Sequence, residues 1–126
     1  MTEEIKKEIE EYVSDWVFDE KSKIYAFQFG KFLFGFMDYL DSLNMSDRTL
    51  NGHKDNLYLI GLFELNYGYN HEEPFDVNNF ANGVKYDYEY SYKVSDSPTS
   101  LSRYSATWNY LAKYIKTKAY LEFQIS

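Results

Sequence analysis

In a chain with no cysteine, chemistry is sought first at the two histidines, His53 and His71. His71 stands directly before Glu72 and Glu73. Imidazole and carboxylate together can hold a metal ion or activate a water. A zinc-type site, however, needs three or four ligands converging from different directions. Three consecutive residues do not converge unaided, so the simpler reading of 71–73 is a polar loop. A small hydrolase or metal enzyme using His71 with Glu72 or Glu73 is the weakest of three readings. Serine chemistry needs a base within reach of a nucleophile, and no nucleophile-elbow motif is present. There is no P-loop and no dinucleotide fingerprint. The absence of cysteine excludes disulfides, thiolate zinc sites and a thiol nucleophile. The expectation is a non-enzymatic protein without a cofactor or metal.

The charged residues point toward binding. Net charge is -7 over 126 residues. Residues 1–20 hold eight acids and two lysines, residues 21–60 are near neutral, 61–100 are acidic, and 101–126 carry +3. Such a balance disfavours tight non-specific binding to phosphate backbones. Two basic groups remain: Arg48, His53 and Lys54 at the start of one helical stretch, and Arg103, Lys113 and Lys116 on another. A helix start with a few cations suits a phosphate; ordinary solvated faces are the plainer alternative. On the acidic side, Glu4, Glu8 and Glu11 lie in the first helical stretch, where carboxylates can stand in for phosphates or simply solvate a helix face.

Aromatic residues are the other surplus. Tyr, Phe and Trp make up 21% of the chain, with 14 tyrosines. Each buried aromatic removes about 150–250 Å² from water, and a chain this short cannot easily bury them all. Some tyrosines are therefore expected at the surface, where Tyr is a typical interface residue.

The elements that must position these groups follow from periodicity. Residues 3–17 read as a first helix, with Ile5, Ile9, Tyr12 or Val13, and Trp16 on one stripe and Thr2 as N-cap. Residues 22–43 read as a long, central helix, apolar almost all round. Gly30 and Gly35 would let a neighbour approach it closely. Ser46 caps a third helix through Leu50, Leu57 and Ile60, ending near Asn66 to Gly68 with Gly68 in a left-handed cap. Residues 67–83 are a loop, with a short helical piece through Val77 and Phe80 and a turn at Asn82-Gly83. Residues 84–94 place Val84, Tyr86, Tyr88, Tyr90, Tyr92 and Val94 at every second position, the pattern of a half-buried strand. Ser97-Pro98 opens the last helix, striped by Leu101, Tyr104, Trp108, Leu111 and Ile115. Residues 117–125 alternate again and could pair with the tyrosine strand. A lone ribbon is marginal unless it packs on helices.

One segment resembles a known family. Phe36, Tyr39 and Leu40, then Ser46, Thr49 and Leu50, then His53 and Leu57 resemble the frame of the core-binding (SAM-like) domain of phage-type tyrosine recombinases. Asp55, Asn56, Leu57, Ile60 and Gly61 fit a stand-alone, small-protein form without the catalytic domain. The resemblance implies a four-helix bundle able to clasp duplex DNA, encoded by a phage or other mobile element. It does not imply strand cleavage.

The expected fold is thus a single, mainly α domain over 1–126: a four-helix SAM-like bundle with a small antiparallel β element, about 84–94 with 117–125. The expected function is a binding module acting through protein contacts at Glu4, Glu8, Glu11, Tyr86, Tyr88, Tyr90 and Tyr92. One concrete form is an inhibitor of a nucleic-acid-binding host defence protein. The alternative is a DNA-binding module using Arg48, His53, Lys54, Arg103, Lys113 and Lys116. Self-association into a homo-oligomer is left open. The apolar run 25–43 is broken by Gln28, Lys31, Asp38 and Asp41, short of the roughly 18 residues a membrane span needs, so no membrane partner is expected. The N-terminus lacks a basic segment followed by an apolar run, and the location expected is cytoplasmic.

Overall fold

A computed structural model describes residues 1–124. Five α-helices carry the described chain: α1 (Glu3–Val13), α2 (Glu20–Asp41), α3 (Asp47–Phe63), α4 (Asp87–Lys93) and α5 (Pro98–Thr117). The mainly helical expectation holds. No helix of the described residues is long and apolar enough to cross a membrane.

The helix starts follow local hydrogen-bond chemistry. Thr2 Oγ1 accepts from Ile5 N–H at 3.2 Å, Ser46 from Thr49 N–H, and Ser97 from Ser100 N–H with Pro98 at the first helical position. Each satisfies an orphan amide of the first turn. α2 begins two residues earlier than the periodicity predicts. Asp19 and Ser22 form a reciprocal capping box there. α1 stops at Val13, and Ser14–Trp16 tighten into a 3₁₀ turn that drives Trp16 into the core. Tyr58 ties this turn to α3 by donating its O–H to Asp15 at 2.6 Å.

α2 is the axis. Tyr25, Phe29, Phe32, Phe36 and Leu40 are buried on it, and α1, α3, α5 and the C-terminal turn all pack against it. Two glycines permit close approaches among these elements. A methyl on Gly30 would meet Val13 and Ile9 of α1, and one on Gly61 would overlap the six-membered ring of Trp16. Phe80, in the 3₁₀ piece Val77–Phe80, stacks on Phe29 at 4.7 Å and on Trp108 at 6.2 Å. It wedges the connecting segment between α2 and α5.

The β element is corrected: the described residues contain no strand. Residues 87–93 are helical, and Ala119–Gln124 coil as a 3₁₀ turn after Lys118 ends α5 in a left-handed conformation, φ 61°. Ile125, the last apolar position of the predicted second strand, lies outside the described residues. The physical reason is a degeneracy of spacing. Every second residue on a strand shares one face, but on a helix positions i and i+4 share one face while i+2 lies opposite. Tyr86 and Tyr90 thus go inward and Tyr88 and Tyr92 outward. The third helix ends in a π turn, Glu64–Gly68. The glycine with left-handed φ is Gly83, at 114°, rather than Gly68.

Candidate functional site

α4 presents the most unusual surface of the molecule. Tyr88 and Tyr92 are 72% and 77% exposed. Their rings stand parallel within 3°, with centroids 6.1 Å apart, the separation of an i, i+4 pair. Val84, Val94 and Tyr67 are exposed nearby in sequence or through Lys93. Large exposed apolar and aromatic groups gathered in one place mark interaction surfaces more often than singly scattered ones.

The underside of α4 explains why these rings hold their place. Tyr90 is buried and stacks on Tyr104 of α5 at 4.4 Å, and the Tyr104 hydroxyl donates to the Lys85 carbonyl at 2.6 Å. Tyr86 precedes the helix at φ 62°, a conformation that L side chains adopt at a cost of about 1–2 kcal/mol. Its phenol donates to Glu64, which offsets that cost.

Glu64 was not singled out by its place in the sequence, yet it is the most connected charged group. It is 3% exposed. Tyr25 of α2 donates to one carboxylate oxygen at 2.5 Å, Tyr86 donates to the other, and Lys85 Nζ lies 3.8 Å away. Burial, followed by the bond to Glu64, pushes the Tyr25 and Tyr86 phenols far above their usual range, so both remain donors at any physiological pH. The carboxylate therefore joins α2, the end of α3 and the approach to α4. Chemically this is a lock, with each carboxylate oxygen engaged from within.

The remaining predicted residues fall in three places. Glu4, Glu8 and Glu11 are exposed along α1. Tyr90 is buried and Tyr86 half-buried with its phenol on Glu64, so the predicted four-tyrosine face reduces to Tyr88 and Tyr92. Of the basic set, Arg48, Arg103, Lys113 and Lys116 are exposed. Lys54 pairs with Asp41 at 3.5 Å. His53 is buried, 5% exposed, with Nδ1 2.7 Å from Thr107 Oγ1. Asn56 donates to the same hydroxyl at 3.0 Å, and Tyr110 caps the imidazole edge-on. His53 thus joins α3 to α5 and cannot meet a phosphate. Burial lowers its pKa below the usual imidazole value.

His71 approaches Asp19 at 3.9 Å and the Tyr69 hydroxyl at 3.3 Å. Among the described residues, no group of three or more His, Asp or Glu side chains converges as a metal site would require. An open groove of about 1370 Å³ runs between α1 and α2, floored by Val13, Val17, Phe32 and Phe75. None of its lining residues belongs to α4. No family model, no characterised protein and no solved structure matches this chain.

Proposed function

We propose that this chain is a non-enzymatic binding module of the phage or mobile-element type, acting through protein contacts. The observation that carries the reading is the parallel, exposed pair Tyr88 and Tyr92 on a helix anchored from beneath. Rigid aromatic side chains give large contact area at small entropic cost, and they dominate binding hot spots. The exposed carboxylates of α1 add a second, acidic face. Its concrete form is an inhibitor that occupies the nucleic-acid site of a host defence protein, with Glu4, Glu8 and Glu11 standing in for phosphates. Capture from host lysate tests it. Two variants, Tyr88→Ala/Tyr92→Ala and Glu4→Ala/Glu8→Ala/Glu11→Ala, are compared with the unmodified chain. The expected result is loss of the same captured protein in both, and release of that protein by added nucleic acid. Capture unchanged in both variants removes the reading.

A second reading, the core-binding-like DNA module in a four-helix SAM-like arrangement, is favoured by one observation. Residues 97–121 contain Arg103, Lys113, Lys116 and Lys118 and no acid, so α5 carries a basic face on an acidic protein. Without His53 and with Lys54 paired, that face and Arg48 are what remain to hold a duplex.

A further inference from the structure

The chemistry of the Tyr88–Tyr92 face is more specific than its exposure alone suggests. The segment 84–96 contains two lysines and three acids. Both lysines are engaged within the molecule, Lys93 in part by the charge of Glu89. Lys85 lies against Glu64 and over the Phe80 and Tyr86 rings. Lys93 donates to the Tyr67 hydroxyl and sits 5.1 Å over the Tyr67 ring. Asp87, next to Tyr88, is exposed, and Glu89 is half-buried. Neither forms an ion pair among the described residues. α4 thus offers two open aromatic rings, with carboxylates at the adjoining positions 87 and 89.

We propose that this face takes arginine side chains of a basic protein partner, an inference that rests on the binding-module reading. A guanidinium is planar, weakly hydrated and able to stack on an aromatic face while its N–H fork reaches a carboxylate. An ammonium is compact and strongly hydrated, and it gains less from the same rings. The parallel rings of Tyr88 and Tyr92 supply the stacking surface, and Asp87 and Glu89, the chain neighbours of Tyr88, are the carboxylates nearest to it in sequence. The Tyr90–Tyr104 stack and the Tyr86–Glu64 bond hold the helix before the partner arrives, which reduces the ordering cost of binding. Net charge of -7 steers a basic partner toward the molecule.

The test uses the full chain with oligoarginine and oligolysine peptides of equal length and charge, titrated by calorimetry at roughly 0.15 M salt. Electrostatics alone would treat the two alike. The expected result is that oligoarginine binds tighter by about fivefold. Tyr88→Leu/Tyr92→Leu should abolish the preference and Tyr88→Phe/Tyr92→Phe should keep it, with circular dichroism unchanged in both because the rings are exposed. Asp87→Asn/Glu89→Gln should weaken oligoarginine binding. Equal affinity for the two peptides overturns the inference. So does a preference that survives the Leu variant, or oligothymidylate binding more tightly than either peptide. Equal peptide affinity with lysate capture still lost in Tyr88→Ala/Tyr92→Ala would overturn the arginine inference and leave the module reading standing. An arginine preference with lysate capture unchanged in both alanine variants would overturn the module reading and leave only an arginine-binding face.

Discussion

His53 and Glu64 show how much single polar side chains decide in this molecule. Burial lowers the pKa of His53, so the folded chain prefers the neutral ring. Above about 6.5, the unfolded value, folded and unfolded rings are both neutral and the α3–α5 join is at full strength. As pH falls below 6.5 and through the lowered folded pKa, protonation favours the unfolded chain and stability is lost. The expected outcome is a melting temperature that drops between pH 7.5 and 5, with a shallower drop in His53→Gln, checked by thermal denaturation across that range. Glu64→Ala would leave two buried phenols, Tyr25 and Tyr86, without their acceptor. Hydrogen bonds to charged groups are worth about 1.5–3 kcal/mol each and are not additive, so a loss of about 3 kcal/mol is expected in urea denaturation.

At the level of elements, close approach matters most. The methyl of Gly61→Ala would collide with the rigid indole of Trp16, which cannot move aside in a packed core. Overpacking of this kind costs about 1–3 kcal/mol. Trp16→Phe should relieve part of it, so a double-mutant cycle is expected to show strong coupling. Much of this scale was legible in the sequence. Ser46 and Ser97-Pro98 announced α3 and α5 because cap chemistry is local. The stripe Tyr104, Trp108, Leu111 and Ile115 announced the face that α5 buries. α4 was not legible, because four tyrosines at every second position satisfy a strand face and two opposed helix faces equally well. Only Tyr104 of α5, a distant residue, decides the case by stacking on Tyr90. The Glu64 lock was hidden for the same reason: its partners lie 39 and 22 residues away. Of the candidate site, Tyr88 and Tyr92 could be named in advance, but their separation from Tyr86 and Tyr90 could not.

The whole molecule divides its charge. α1 carries exposed acids and packs on α2, whereas α5 is free of acids and packs on α3. A net charge of -7 therefore conceals one basic, acid-free helix. If that helix holds duplex DNA, binding will appear at low salt and fall steeply as salt rises, since each neutralised phosphate releases counterions. Arg48→Gln/Lys113→Gln should then weaken it and reduce the salt slope by about two. Gel shifts at two or more salt concentrations check this, and no shift at the lowest removes the DNA-binding reading.

The two tryptophans give the fold an optical signature. Trp16 and Trp108 are both shielded from water. Trp16 is surrounded by Tyr12, Phe29 and Tyr58, and Trp108 faces Phe80. Two indoles in dry surroundings beside many tyrosines are expected to collect their excitation and to emit toward the blue in the native state, which a fluorescence spectrum checks. One indole watches the contact of the first turn with α3, and the other watches the wedge beneath α5. Chains with a single tryptophan would reveal whether these two regions come apart together.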